Sequence, residues 1–140
     1  MRWETSIVID APVARVWALT LDVAGWPSIT PTMTRVVLLD PGPLRVGSRA
    51  RIKQPRQTEA VWTVARVEEN REFAWQTRRM GQTWTATHIL NPEGNGCRNT
   101  LTFEIIGPGA GLTGGLLSRV VRSGIETENA SFKRAAESPS

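Results

Sequence analysis

The sequence holds one imidazole, His88, which alternates with Trp84, Ala86 and Leu90. Successive side chains of a strand point to opposite faces, so these four share a face. A titratable ring in an apolar setting suits general acid–base work near neutral pH, or the orientation of a carbonyl. It suits equally well a core residue whose polar atoms are satisfied. Gln54 and Thr77 fall on the inward parity of their strands, where each offers a ligand a hydrogen bond. Glu59 and Glu104 have outward parity, so no inward pair of carboxylates appears. Ser/His/Asp and Cys/His arrangements in a recognisable context are also absent. Cys97 is the single cysteine, which excludes an internal disulfide and a multi-cysteine zinc site. No metal and no cofactor are expected.

The stretch that must position this chemistry is residues 59–77. It reads as two strands around a polar turn at Glu68, Glu69, Asn70 and Arg71. Trp62 and Val64 share one face of the first strand. Phe73, Trp75 and Thr77 share one face of the second. Two indoles and a phenyl on one side of a hairpin need a cover. They either form a solid core or line a pocket, and the function turns on which.

The rest of the chain supplies candidates for that cover. Trp3 to Ile9 reads as a strand with Ile7 and Ile9 inward. Asp10 is placed to cap a helix, with Pro12 in its first turn. Val13, Val16, Trp17 and Leu21 recur at helical spacing. A second short helix is expected around Asp22 to Ile29. Strands follow over Thr34–Asp40, Ser48–Gln54, Trp84–Leu90 and Arg98–Ile106, the last with Leu101, Phe103 and Ile105 inward. Short connections after residue 40 favour antiparallel neighbours. From Leu112 to Ala136, Leu116, Leu117, Val120, Val121, Ile125 and Phe132 mark a long helix. At ~1.5 Å per residue it spans roughly 35 Å, enough to cross a sheet. Gly124 lies inside it, where glycine costs ~0.8–1 kcal/mol against alanine. Gly114 and Gly115 weaken its first turn. Either the glycines make room for a ligand, or they let helix and sheet pack closely. Residues 137–140 read as a flexible tail.

The order is strand, two short helices, six strands and a long helix. It specifies an α+β architecture of about seven antiparallel strands curved around the C-terminal helix. The 140 residues suffice for one domain, and no linker or repeat divides them. Hydrophobic residues at 40% and charged residues at 21% fit a globular chain. The first ten residues are broken by Glu4 and Asp10 and do not read as a signal peptide. A cytoplasmic location and a monomer or homodimer are expected, with no membrane span. The net charge of +4 raises nucleic-acid binding as a weaker alternative, through Arg49, Arg51 and Lys53. The plainer reading is the wet face of a half-buried strand.

Several short motifs together resemble a known family. These are Ile9-Asp10-Ala11-Pro12 with Val16-Trp17, Asp22 with Trp26-Pro27, Val46-Gly47-Ser48, Gln54-Pro55, Trp62-Thr63-Val64, Phe73-Ala74-Trp75 and His88 to Pro92. They are similar to the polyketide cyclase/dehydrase and lipid-transport group of the START-like, or SRPBCC, superfamily, over about residues 3–135. The resemblance implies a helix-grip fold with a ligand cavity between sheet and long helix. It implies a small hydrophobic or aromatic, polyketide-like or lipid-like ligand. Trp62, Trp75, Trp84, Gln54, Thr77, His88, Phe103 and Gly124 are then expected around that ligand. The alternative is a cyclase/dehydratase with His88 as acid/base. Aromatase/cyclases of the group use polar cavity side chains, tyrosine among them. This chain has no tyrosine, which leaves His88, Gln54, Thr77 and Arg79 to substitute.

Overall fold

Period-two alternation of apolar and polar residues carries the chain through seven antiparallel strands. The computed structural model describes residues 1–138. The strands are β1 (Arg2–Ile9), β2 (Arg35–Leu38), β3 (Arg49–Lys53), β4 (Ala60–Glu68), β5 (Glu72–Arg79), β6 (Gln82–Glu93) and β7 (Gly96–Ile106). Helix α1 spans Val13–Leu21, a 3-10 helix spans Val23–Ser28, and helix α2 spans Ala110–Glu137. All seven strands form one sheet in the order β1-β7-β6-β5-β4-β3-β2. This is the expected α+β helix-grip architecture.

Local chemistry sets the turns. Arg79 faces Gln82 across a two-residue turn, and Met80 and Gly81 both have positive φ, 51° and 76°. That is the twist a right-handed hairpin prefers. The β6–β7 turn is confined to Gly94 and Asn95, because Glu93 still pairs with Gly96. Asp10 does not cap α1. Pro12 holds the cap position without a side-chain bond, while the Asp10 N–H donates to Glu137 Oε2 at 2.7 Å. Glu137 therefore belongs to α2 rather than to a loose tail. A bond from the Lys133 ammonium, then the Asp10 N–H, holds its carboxyl below the usual carboxylate range. Pro139 and Ser140, the rest of the expected tail, lie outside the described residues.

The long helix leans to one side. Its principal strand neighbours are β1 and β7, one edge of the sheet. A buried amide pair fixes that placement. Asn99 Nδ2 donates to Asn129 Oδ1 at 2.8 Å, and Asn129 Nδ2 donates to the Thr5 carbonyl at 3.2 Å. Asn129→Ala would leave the buried Asn99 amide unpartnered. Such a change costs about 1–3 kcal/mol, to be seen as a lower urea midpoint with an unchanged m-value. A loss below ~0.5 kcal/mol would mean the helix is placed by apolar contact alone.

The inward stripe of α2 is narrower than its apolar content suggests. Leu117, Val121, Ile125 and Phe132 pack against the core. Leu116 and Val120, expected on the same stripe, are 76% and 56% exposed. They sit one position away, on the solvent flank of the helix.

Candidate functional site

Because α2 stands over β1 and β7, the curved middle of the sheet is left uncovered on its inner side. A cavity of about 810 Å³ fills the gap. That lies within the roughly 300–1,000 Å³ usual for small-molecule sites. Its floor is dry: Trp26, Trp75, Ile52 and Leu101 are all buried. Its rim is exposed and comes from three places: Pro31 after the 3-10 helix, Arg56 and Thr58 between β3 and β4, and Arg119 and Val120 on α2.

Aromatic rings brace one end solidly. The Trp26 ring centre lies 5.1 Å from Trp75, 5.1 Å from His88, 5.5 Å from Phe132 and 6.2 Å from Phe73. These edge and tilted geometries are the ones ring quadrupoles favour. The Trp26 indole N–H donates to the Leu19 carbonyl at 3.0 Å. Toward the other end Trp62, Trp84 and Phe103 form walls. Trp84 is fixed by donation to Gln82 Oε1 at 3.1 Å, and Gln82 in turn donates to the Pro108 carbonyl and Thr113 Oγ1 at the start of α2.

His88 lies on β6 between Phe73 and Leu101 of its neighbours and faces the cavity from that braced end. Its Nε2 is 3.1 Å from Glu128 Oε1 on α2. Glu128 Oε2 accepts a bond from Thr32 Oγ1 at 3.4 Å, and Thr32 Oγ1 is 2.9 Å from Thr30 Oγ1. His88 Nδ1 is buried with no protein partner. Glu128 is the one carboxylate in the cavity lining among the described residues. An imidazole beside a carboxylate can pass a proton between a bound molecule and the protein.

Trp62, Trp75, Trp84, Gln54, His88, Phe103 and Gly124 all line the cavity. Thr77 does not. Its side chain is buried and its hydroxyl donates to the Val61 carbonyl at 2.8 Å. The ladder between β4 and β5 begins only at Thr63 and Gln76, so that carbonyl has no strand partner there, and Thr77 supplies one. The glycines of α2 divide. A side chain at Gly114 would collide with Met1, whereas a Cβ at Gly124 meets nothing within 4 Å. Close packing explains the first, and open space over the cavity the second.

Sequence reasoning missed several lining residues, Trp26 and Glu128 among them. Trp26 stood in the short-helix segment, whose face toward the sheet no periodicity could set. Glu128 carried a usable signal: it falls three residues after Ile125 and four before Phe132, on the inward stripe. A charge at that spacing marks a face that is not wholly packed.

The outer face of β3 spends its charges on neighbours. Arg49 pairs with Asp40 at 3.0 Å, Arg51 with Glu59 at 3.3 Å, and Lys53 Nζ donates to the Gln54 carbonyl. The bond from the Arg49 side chain holds the Asp40 carboxyl below its ordinary range. Cys97 is fully buried, and burial pushes its thiol up, away from reactive thiolate. No helix among the described residues is long and apolar enough to cross a membrane.

A seven-stranded antiparallel sheet gripping a C-terminal helix around an aromatic cavity defines the helix-grip class. Residues 1–137 match the family described as polyketide cyclase / dehydrase and lipid transport, and the chain belongs to that family. A search of curated proteins finds no match. Among solved structures, the Thermus thermophilus protein TTHA0849 is similar at 20% identity and a TM-score of 0.78, over 99% of this chain and 100% of that one. The Zhui aromatase/cyclase from a Streptomyces species matches at 19% identity and a TM-score of 0.78, over 98% and 93%. Ara h 8.0201 matches at 8% identity and a TM-score of 0.77, over 97% of each chain. Likeness at this level of identity establishes the fold.

Proposed function

We propose that the chain binds a small hydrophobic or aromatic molecule, polyketide-like or lipid-like, in the space between sheet and α2, as a cytoplasmic monomer or homodimer. One observation carries this: a cavity of about 810 Å³ with the indoles of Trp26, Trp62, Trp75 and Trp84 in its lining. Stacking on such walls adds ~0.5–1.5 kcal/mol per ring pair beyond apolar burial. The uncharged fluorophore N-phenyl-1-naphthylamine is expected to bind saturably at one site, with energy transfer from tryptophan. If it and a panel of polyketide-like and lipid-like compounds leave tryptophan emission unchanged, the proposal fails.

A second reading is favoured by the 3.1 Å approach of His88 to Glu128 at the cavity floor. It is a cyclase/dehydratase in which His88 takes a proton from the carbon between two carbonyls of a bound poly-β-ketone. Glu128 would then balance the imidazolium charge. Unchanged turnover of such a substrate by His88→Ala would remove this mechanism and leave the binding proposal intact.

A further inference from the structure

Among the described residues seven of the fifteen arginines lie within 4 Å of a carboxylate and eight do not, Arg15, Arg45, Arg78, Arg122 and Arg134 among the eight. The seven are Arg2, Arg35, Arg49, Arg51, Arg66, Arg71 and Arg98. The three that line the cavity, Arg56, Arg79 and Arg119, have no such partner among the described residues. The lining's one carboxylate, Glu128, is next to His88 instead.

Arg79 is the best placed of the three. It follows Phe73, Trp75 and Thr77 on the inward parity of β5, at the strand's end. Its guanidinium carbon sits 5.1 Å from the centre of the Trp84 ring. Its nearest hydrogen-bond acceptors are the Thr58 hydroxyl and carbonyl, at the long distances of 3.5 and 3.4 Å. Its Nε is buried with no partner at all. A guanidinium held over an indole, with its Nε unpartnered and its other hydrogen bonds long, is prepared for a planar or tetrahedral anion. Arg56 reaches the same rim from a left-handed backbone conformation, φ 62°, which an L-residue adopts at a cost of about 1–2 kcal/mol. Arg119 faces the rim from α2.

We infer that the cavity selects amphipathic anions: an apolar or aromatic body lies among the indoles, while a single carboxylate, sulfonate or phosphate is held at the mouth by Arg79, with Arg56 and Arg119. This deepens the ligand-binding reading and rests on it. The division of labour follows from burial. The apolar body gains from the dry floor. The anionic head gains chiefly from Arg79, which is half-buried and so interacts more strongly than a cation on open surface, with the exposed Arg56 and Arg119 adding to the field. Neither half needs the other's environment.

A matched pair of probes separates the two claims. N-phenyl-1-naphthylamine and 8-anilinonaphthalene-1-sulfonate share one aromatic body, and only the second carries an anion. The sulfonate is expected to bind about tenfold tighter at low salt, the scale of one charge-assisted hydrogen bond. That preference should shrink toward unity in ~0.5 M salt and in Arg79→Gln or Arg119→Gln, with the uncharged probe unaffected. Arg119 is exposed, so its replacement keeps the inference testable should the Arg79 variant fold poorly. Displacement of the bound sulfonate by dodecanoate or by dodecyl phosphate, but not by dodecanol, then identifies the preferred head. Equal binding of both probes, equal loss of both in the arginine variants, or equal competition by dodecanol overturns the inference while ligand binding stands. Failure of both probes to bind overturns the two readings together.

Discussion

Gly124→Trp is expected to weaken binding of an apolar ligand about thirtyfold while making the fold slightly more stable. The expectation comes from the space around that glycine. It lines the cavity, and a Cβ built on it meets nothing within 4 Å. A side chain grown there advances into the volume a ligand would use. If the indole removes roughly 80 Å² of ligand burial, at ~25 cal/mol per Å² the loss is ~2 kcal/mol, or about thirtyfold. Stability should move the other way, because glycine in a helix interior costs ~0.8–1 kcal/mol against alanine, and tryptophan recovers part of that difference. Gly124→Ala makes the control: binding close to wild type, with unfolding free energy raised by ~0.8–1 kcal/mol. Calorimetric titration and urea unfolding on the two variants read both quantities. Unaltered affinity in the tryptophan variant would place the ligand elsewhere, and a destabilised alanine variant would show the glycine to be packed.

The strands were legible because alternation is a local property. Trp62, Trp75, Trp84, His88, Leu101 and Phe103 could be assigned to one face before any tertiary arrangement was known, since side-chain parity survives all later packing. The inward stripe of α2 was legible in part. Its period placed Leu117, Val121, Ile125 and Phe132 correctly, but it was drawn too wide, and Leu116 and Val120 face solvent. What parity could not supply was the partner of a polar group. Thr77 has the inward parity expected, yet a gap in the ladder beside Val61 claims its hydroxyl. That gap depends on how β4 and β5 come into register, with a shift between Val64 and Arg66. Asp10 is a separate case. Its sequence context suited a cap, but α1 begins at Val13 with Pro12 in the cap position, two residues further on. Glu128 was missed for a different reason: attention to apolar positions passed over the one charged residue on their stripe.

The question posed by the aromatic hairpin, core or pocket, has a divided answer. Its rings serve as core at one end and as walls at the other. Phe73 and Trp75 pack against Trp26, and Phe132 of the helix meets the same indole. Trp62 instead stands where the helix has moved away from the sheet. The lean of α2 toward β1 and β7 therefore separates a packed part of the aromatic set from a cavity-facing part.

This division predicts opposite behaviour from two tryptophans. Trp26→Ala should cost ~3–5 kcal/mol, the range for a large buried aromatic. Domains of this kind have about 5–15 kcal/mol in total, so the loss lowers the melting temperature by on the order of 10 °C or more. Three contributions add. Trp26 is fully buried, so its apolar transfer energy is lost entirely. Its four aromatic neighbours belong to β5, β6 and α2, rigid elements that cannot all collapse into the vacancy. The Leu19 carbonyl also loses the indole N–H. One effect opposes them: the vacancy adjoins the cavity, so water can enter it, which favours the lower end of the range. Trp26→Phe should recover most of the loss. Trp62→Ala differs because one side of its ring already faces open space. Removing it forfeits fewer contacts and should cost less stability than Trp26→Ala, yet it should weaken aromatic ligands more than either change at Trp26. Urea midpoints and ligand titrations on the three variants decide the matter. Equal destabilisation by Trp26→Ala and Trp62→Ala would mean that the rings form one continuous core, and the cavity would then lack the ligand-facing wall on which the proposed function depends.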